Sequence, residues 1–331
     1  MKYNVNSWLI ICILLLSLVV RVVGLGGNPT ILNRDEAAIG YNALLLAQTG
    51  TDEWGKTWPL TLQSFGDYKL IGYPALVSVL FKFFEPSDFL VRVPSAVAGV
   101  GTLFVLYLLL SRFTNNKRPP IFFLGLLACT PLFFFYSRIA FEANVALFLF
   151  LLFIFWIFRP VDTKTIYYDI LAGLLITVAI VTYNTPLLLL PFIIFLLPFI
   201  RGLNNSKQWL LITVYLVCIS SFFFLTFHTL TEQKQGITIF SDVTTHYNYI
   251  QYRNSLSGIE QKFLGNKYYY YFSLILPRFI KSFGPEFLVF RGGSHPWHQL
   301  PEWSHLFITQ YIFVVVSIFY LFSTLFIKYK R

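Results

Sequence analysis

The chain has 331 residues, of which 56% are hydrophobic, 19% aromatic and 12% charged. Soluble domains carry about twice that share of charge, so this composition excludes an ordinary soluble protein and predicts a polytopic membrane protein. The net charge of +10 does not point to nucleic acid, because the basic residues sit largely between apolar runs, where they orient segments in a bilayer, and no basic stripe is present.

Lys2 precedes an apolar run from 8 to 25 that is long for a signal sequence, so a retained span is expected, although Val23-Gly24-Leu25-Gly26 has some likeness to a cleavage site. A crossing needs about 20 apolar residues. Runs at 8–25, 92–111, 120–136, 141–158, 168–183, 186–200, 208–227 and 306–327 predict about eight crossings. Cys12, Cys129 and Cys218 lie inside these runs and are expected as buried free thiols.

The run 70–84 is short and carries Gly72, Pro74 and Lys82. If it does not cross, then Lys2, Arg112/Lys117/Arg118, Arg159/Lys164, Arg201/Lys207 and Lys328/Lys330/Arg331 all fall on one side, as positive-inside bias requires. It is therefore expected as an interfacial or re-entrant helix on the outer face. Both termini are then cytoplasmic. The chain reads as a single membrane domain, residues 1–331, with an outer loop over 26–91 and a long outer loop over 228–305; a multi-pass protein of the plasma membrane is expected.

The first outer loop opens with Asn33-Arg34-Asp35-Glu36, ahead of a helical pattern over Ala37 to Gln48 marked by Ile39, Leu44, Leu45 and Leu46. Negative charge suits a helix N-terminus, so capping is the plain role for one of the two acids. Thr49 to Gly55 forms a turn with a second acidic pair, Asp52 and Glu53, and Ser64-Phe65-Gly66-Asp67-Tyr68-Lys69 leads into the interfacial helix. In the long outer loop, the aromatic cluster Tyr268 to Phe272 suits a headgroup region. Gly and Pro between Phe283 and His298 predict a loop with short interfacial helices.

No Gly-rich phosphate loop, nucleophile elbow or familiar Cys/His metal spacing occurs, so an enzyme here needs a donor without a nucleotide pocket. A polyprenyl-phosphate sugar fits, since its tail partitions into the bilayer and its head group sits at the surface. Transfer requires a carboxylate to take the acceptor proton and cations to hold the departing phosphate. Asp35, with Glu36 beside it, is the candidate base; Lys69 and Arg138 are the candidate cations. Each has a plainer reading. Lys69 suits a snorkelling anchor; Arg92, ahead of Pro94, suits a span anchor; Arg138 and Glu142, at i and i+4, suit a helical ion pair; Asp52 and Glu53 suit a solvated turn, with substrate contact the alternative for each of these, and Tyr68 beside Lys69 is a further candidate substrate contact. His295 and His298 are candidate contacts to substrate or lipid phosphate, and a divalent metal held by them with the acidic pairs is disfavoured by the proline between them.

Taken in order, RDEAAIGYNALLLAQTGTDEWGKTWPL, SFGDYK, VRVPSAVAGVGTLFVLYLL, PLFFFYSRIAFEANVALF and FGPEFLVFRGGSHPWHQLPEWSHLF resemble the dolichyl-phosphate-mannose protein mannosyltransferase family, which includes the bacterial transferase of aminoarabinose to lipid A. The resemblance runs from about Asn33 to about Leu306. It implies a GT-C fold, an all-α membrane bundle with an outer active site fed by a polyprenyl-phosphate sugar. It also implies that Asp35 is the base with Glu36 beside it, that Lys69 contacts the donor phosphate, and that Arg92, Glu142, His295 and His298 belong to the site. The chain departs from the family in being short, as expected of a short form, a fragment or a chain dependent on a partner subunit. It departs again in Leu70-Ile71-Gly72-Tyr73-Pro74, where prolines often follow the lysine directly.

The expected function is inverting transfer of a hexosyl or pentosyl group from the lipid-linked donor to an acceptor hydroxyl on protein, lipid or glycan, in protein glycosylation or cell-envelope modification. Two rivals stand beside it: a transporter or flippase of lipid-linked sugar, disfavoured because the spans are almost free of charge and the halves are unlike, and a non-catalytic membrane partner.

Overall fold

A computed structural model describes residues 5–64, 67–158, 165–201, 239, 242–293 and 304–329. The span expected over 208–227, Cys218, His295 and His298 lie outside the described residues, as do Lys2, Arg159, Lys164, Lys207, Lys330 and Arg331 of the charge pattern. The chain divides into two compact units, residues 1–129 with 133–229, and residues 130–132 with 230–331.

The first unit contains α1 (Val5–Val22), α2 (Arg34–Gln48), a hairpin of β1 (Thr61–Ser64) and β2 (Asp67–Leu70), α3 (Gly72–Phe83), α4 (Asp88–Arg112) and α5 (Arg118–Ala128). After α6 (Pro131–Tyr136), α7 (Glu142–Ile157), α8 (Thr165–Thr182) and α9 (Thr185–Arg201) complete it. Among the described residues, α4 is long and apolar enough to cross a bilayer by length and composition, while α1, α3, α5, α7, α8 and α9 are shorter apolar helices. The run 120–136 is two helices rather than one. Pro131 lacks an N–H and disfavours helical backbone in the residue before it, so α5 ends at the Cys129 cap and α6 starts afresh.

Among the described residues three clusters hold this unit together, one of them formed by Leu103 and Tyr107 on α4 with Ile121 and Leu124 on α5. Phe153 and Ile157 on α7 pack with Ala172, Ile176, Ala179 and Ile180 on α8 and Leu190 on α9, and Trp156 stacks on Tyr168 at 4.7 Å. Ile39, Ala43, Tyr73, Val77, Val91, Ala98, Ala140 and Val145 join α2, α3, α4 and α7. The alanines let helix backbones approach closely, the usual device where apolar packing must be made inside an apolar solvent. The 12 residues of α3 span about 18 Å, short of the roughly 30 Å of bilayer hydrocarbon, in keeping with a helix that does not cross. Cys12 and Cys129 are free but exposed on the molecular surface. An apolar run marks contact with lipid as readily as burial in protein, which is why buried thiols were the wrong expectation for these two.

The second unit contains α10 (Val243–Ser255), α11 (Gly258–Phe263), α12 (Lys267–Ser282), a π-helical turn (Glu286–Arg291) and α13 (Ile308–Tyr329). Asp242 and Asn266 cap α10 and α12 through their side chains. The expected aromatic cluster lies on α12, where Tyr268, Phe272, Phe279 and Ile280 are exposed. His305 stacks on Phe287 at 4.9 Å, and its carbonyl accepts the Leu132 N–H at 3.1 Å.

Candidate active site

The site is built on the start of α2. The Asn33 side-chain oxygen accepts the N–H groups of Asp35 and Glu36, both at 2.9 Å, and Glu36 Oε2 accepts the Asn33 N–H at 3.0 Å. This capping box satisfies donors that the helix itself leaves over. It also fixes the two neighbouring acids in different directions, since successive helical side chains turn by about 100°.

Glu36 points inward and is buried. Its Oε1 accepts from Arg92 Nε at 2.8 Å and Ala140 N at 2.7 Å; its Oε2 accepts from Arg92 Nη2 at 3.1 Å as well as from Asn33. Four bonds fill the acceptor capacity of a carboxylate. Arg92, also fully buried, donates Nη1 to the carbonyls of Leu25 and Pro29 at 2.9 and 2.8 Å, and Nη2 to that of Ile31 at 3.2 Å.

Arg138 does similar work a few residues upstream. Its Nη1 donates to the carbonyls of Val20, Arg21 and Val23 at 2.7, 3.2 and 3.1 Å, and its Nη2 to that of Asn28 at 3.0 Å. The carbonyls of Val20 and Arg21 belong to the last turn of α1, where orphan acceptors and the helix dipole both favour a cation. Burial, and then the nearby Arg92 guanidinium, lower the Arg138 pKa from its ordinary value. Between them the two arginines pin the segment that leads from α1 to Asp35. Arg138 and Glu142 do not sit on one helix: residues 137–141 are non-helical and α7 begins at Glu142. Glu142 is buried there, where the helix dipole favours its charge.

Asp35 points the other way. Its Oδ1 lies 3.0 Å from Lys69 Nζ, with the aspartate side chain 34% exposed and the lysine 14%. Lys69 stands on β2, paired in register with Leu62, and half-buried Tyr68 is paired with Gln63. The hairpin escaped sequence reading because its strands are only four residues each. It is seated by the next turn: a Cβ on Gly72 would lie 2.4 Å from Thr182 Oγ1 and 2.7 Å from Thr182 Cα, so glycine lets the start of α3 touch the end of α8.

The second acidic pair is not at this centre. Asp52 is buried and its Oδ1 accepts the N–H groups of Trp54 and Lys56 at 3.0 and 2.7 Å, closing a turn. Glu53 is exposed, and its N–H and carboxylate both bind the Asn42 side chain on α2. Among the described residues no three His, Cys, Asp or Glu side chains lie together in a way that would hold a metal.

Two features were not anticipated. Arg21, fully buried in the last turn of α1, donates Nη1 to Ser17 O at 3.0 Å and lies 5.8 Å from the Phe134 ring, which Arg138 approaches at 5.7 Å. An arginine inside an apolar run was the signal for it. The other is an apolar cavity of about 220 Å³ lined by Ala143, Ala146, Leu147 and Phe150 of α7 and by Tyr183, Thr185, Pro186 and Leu189.

Residues 71–224 match the model of a family described as dolichyl-phosphate-mannose-protein mannosyltransferase, which bears out the resemblance read from the sequence. No curated protein matches the chain. Among solved structures, the crystal structure of ArnT from Cupriavidus metallidurans in the apo state matches with a TM-score of 0.51 at 12% identity, over 85% of this chain and 51% of that one. The same protein bound to undecaprenyl phosphate matches with a TM-score of 0.49 at 13% identity, over 85% and 52%. The likeness to the apo structure is one of fold, the helical GT-C architecture. This chain spans about half the length of the structures it matches.

Proposed function

We propose, from the premise that residues 71–224 carry the pattern of the dolichyl-phosphate-mannose-protein mannosyltransferases, that the chain is a membrane glycosyltransferase. It moves a sugar from a polyprenyl-phosphate donor to an acceptor hydroxyl at the outer membrane face, with inversion at the anomeric carbon. The chain crosses the bilayer about eight times with both termini cytoplasmic, in keeping with the apolar runs and their flanking charges.

The single observation that carries this reading is the 3.0 Å pairing of Asp35 with Lys69 on a partly open surface. A carboxylate there can take a proton from an acceptor hydroxyl as its oxygen attacks the anomeric carbon. The bond from that carbon to the phosphate oxygen breaks, and the phosphate leaves with both bonding electrons. Lys69, an ammonium with three donors, can face Asp35 and a phosphate oxygen together and offset the charge that develops on the leaving group.

Glu36, Arg92 and Arg138 take a different part from the one the residue types suggested. Their hydrogen bonds go to each other and to backbone, so we assign them the task of holding the 20–33 segment in place. Asp52 likewise shapes its own turn. Glu142, Tyr68, His295 and His298 remain proposed contacts to substrate.

The test is transfer from a radiolabelled polyprenyl-phosphate sugar of known anomeric configuration, with the full chain in membranes. A single product anomer of opposite configuration supports the reading. A product that keeps the donor's configuration would contradict it, and no label released from any donor would favour a non-catalytic partner.

A further inference from the structure

The segment between α2 and β1 is tied by several hydrogen bonds and yet presents two large aromatic rings. Asp52 draws in the N–H groups of Trp54 and Lys56, Asp52 N donates to Lys56 O at 2.9 Å, and Thr51 bridges to Thr57. Asn42 of α2 ties Glu53 down at the same time. Trp58 is held at φ 39°, a conformation that a bulky residue adopts only when its surroundings enforce it, and its N–H donates to Gly50 O at 3.1 Å. Despite these constraints, Trp54 is 61% exposed and Trp58 45%.

Trp54 is fixed as well as exposed. Its indole N–H donates to Gln63 O at 3.2 Å, and Gln63 is the register partner of Tyr68, the residue next to Lys69. Gln63 thus lies one strand across and one residue along from Lys69, about 6 Å away along the backbone. The ring is therefore fastened to the same hairpin that carries Lys69. The same loop carries exposed Glu53 and Lys56, one acceptor and one donor side chain of opposite charge.

We infer that the exposed face of Trp54, with Trp58 on the same loop, is a stacking surface for a pyranose ring at the candidate active site. The axial C–H bonds of a sugar carry slight positive charge and suit the negative face of an indole, while its hydroxyls find partners in groups such as Glu53 and Lys56. A ring already held by its N–H loses little conformational entropy on binding. A bilayer anchor is the lesser fit, because two carboxylates, Asp52 and Glu53, directly precede Trp54 and the loop carries one cation, Lys56, rather than a cluster. The inference rests on the proposed glycosyl transfer and adds a sugar-binding surface to it.

Saturation-transfer NMR with the full chain in nanodiscs and methyl α-mannopyranoside as probe reads this surface without turnover. Transfer to the ring C–H protons is expected for the wild type, to fall about fivefold in Trp54→Ala, and to return for the most part in Trp54→Phe, which keeps a flat ring. Adding polyprenyl-phosphate mannose separates two sources of the same ring: displacement of the probe assigns the surface to the donor sugar, and persistence assigns it to an acceptor glycan. Transfer equal in wild type and Trp54→Ala would overturn the inference. So would quenching of wild-type fluorescence by acyl-chain-brominated lipid that disappears in Trp54→Phe, since the ring would then lie in the bilayer. An Asp35→Asn chain that still turned over would refute the transfer mechanism while leaving the binding result standing.

Discussion

The Lys69 ammonium stands 3.0 Å from the Asp35 carboxylate, so the candidate base and the candidate phosphate contact form one ion pair between the first turn of α2 and the second strand of the hairpin. Lys69→Gln removes the charge that would meet the leaving phosphate while keeping a polar side chain. Transfer from labelled donor is expected to fall by about 10²-fold or more, the loss typical of removing one preorganised donor to developing charge. An unchanged rate would separate Lys69 from the chemistry.

The buried pair of Glu36 and Arg92 is expected to matter for folding first. Removing either partner leaves the other charge buried among groups arranged to meet it, so Glu36→Ala or Arg92→Ala should each lower stability by about 3–5 kcal/mol. Arg92→Lys should rescue little, since an ammonium cannot reproduce the guanidinium fork that reaches Glu36 and three carbonyls. Denaturation of the purified chain in detergent measures both.

Gly72→Ala tests the seat of the hairpin. The added methyl would fall 2.4 Å from Thr182 Oγ1, 2.7 Å from Thr182 Cα and 2.8 Å from Val181 O. Overpacking of this kind costs about 1–3 kcal/mol and displaces the strand that carries Lys69. Activity should fall, and Thr182→Ala should not restore it, because two of the three crowding atoms are backbone.

His305 gives the second unit a pH dependence. Burial lowers its pKa from the ordinary 6.5, so the folded state binds this proton less readily than the unfolded chain. Its contribution to stability is complete above pH 6.5 and is lost as pH falls from there toward the lowered folded value. His305→Gln should flatten this part of the unfolding profile. A wild-type profile that already showed no loss on acidification would contradict the assignment.

Much of the fold was legible because apolar runs bounded by charge mark helices directly, and α1, α4, α7, α8 and α9 fall close to their expected bounds. Asp35 and Lys69 were legible by type and by position at the ends of runs, but their contact was not, because it depends on a short hairpin whose register no spacing announces. Which of Asp35 and Glu36 turns inward was decidable in principle. Asn33 followed three residues later by Glu36 is the capping-box spacing, and it commits the glutamate to the backbone. The roles of Arg92 and Arg138 were hidden for a different reason: their partners are carbonyls of a segment that is remote in sequence, and main-chain acceptors carry no residue code.

The central claim is that Asp35 takes the acceptor proton. The most direct measurement is the transfer rate of Asp35→Asn against wild type, in membranes charged with polyprenyl-phosphate sugar and matched for folded protein. The account predicts a loss of about 10² to 10⁴-fold with normal insertion and folding; a variant that transfers at the wild-type rate would contradict it.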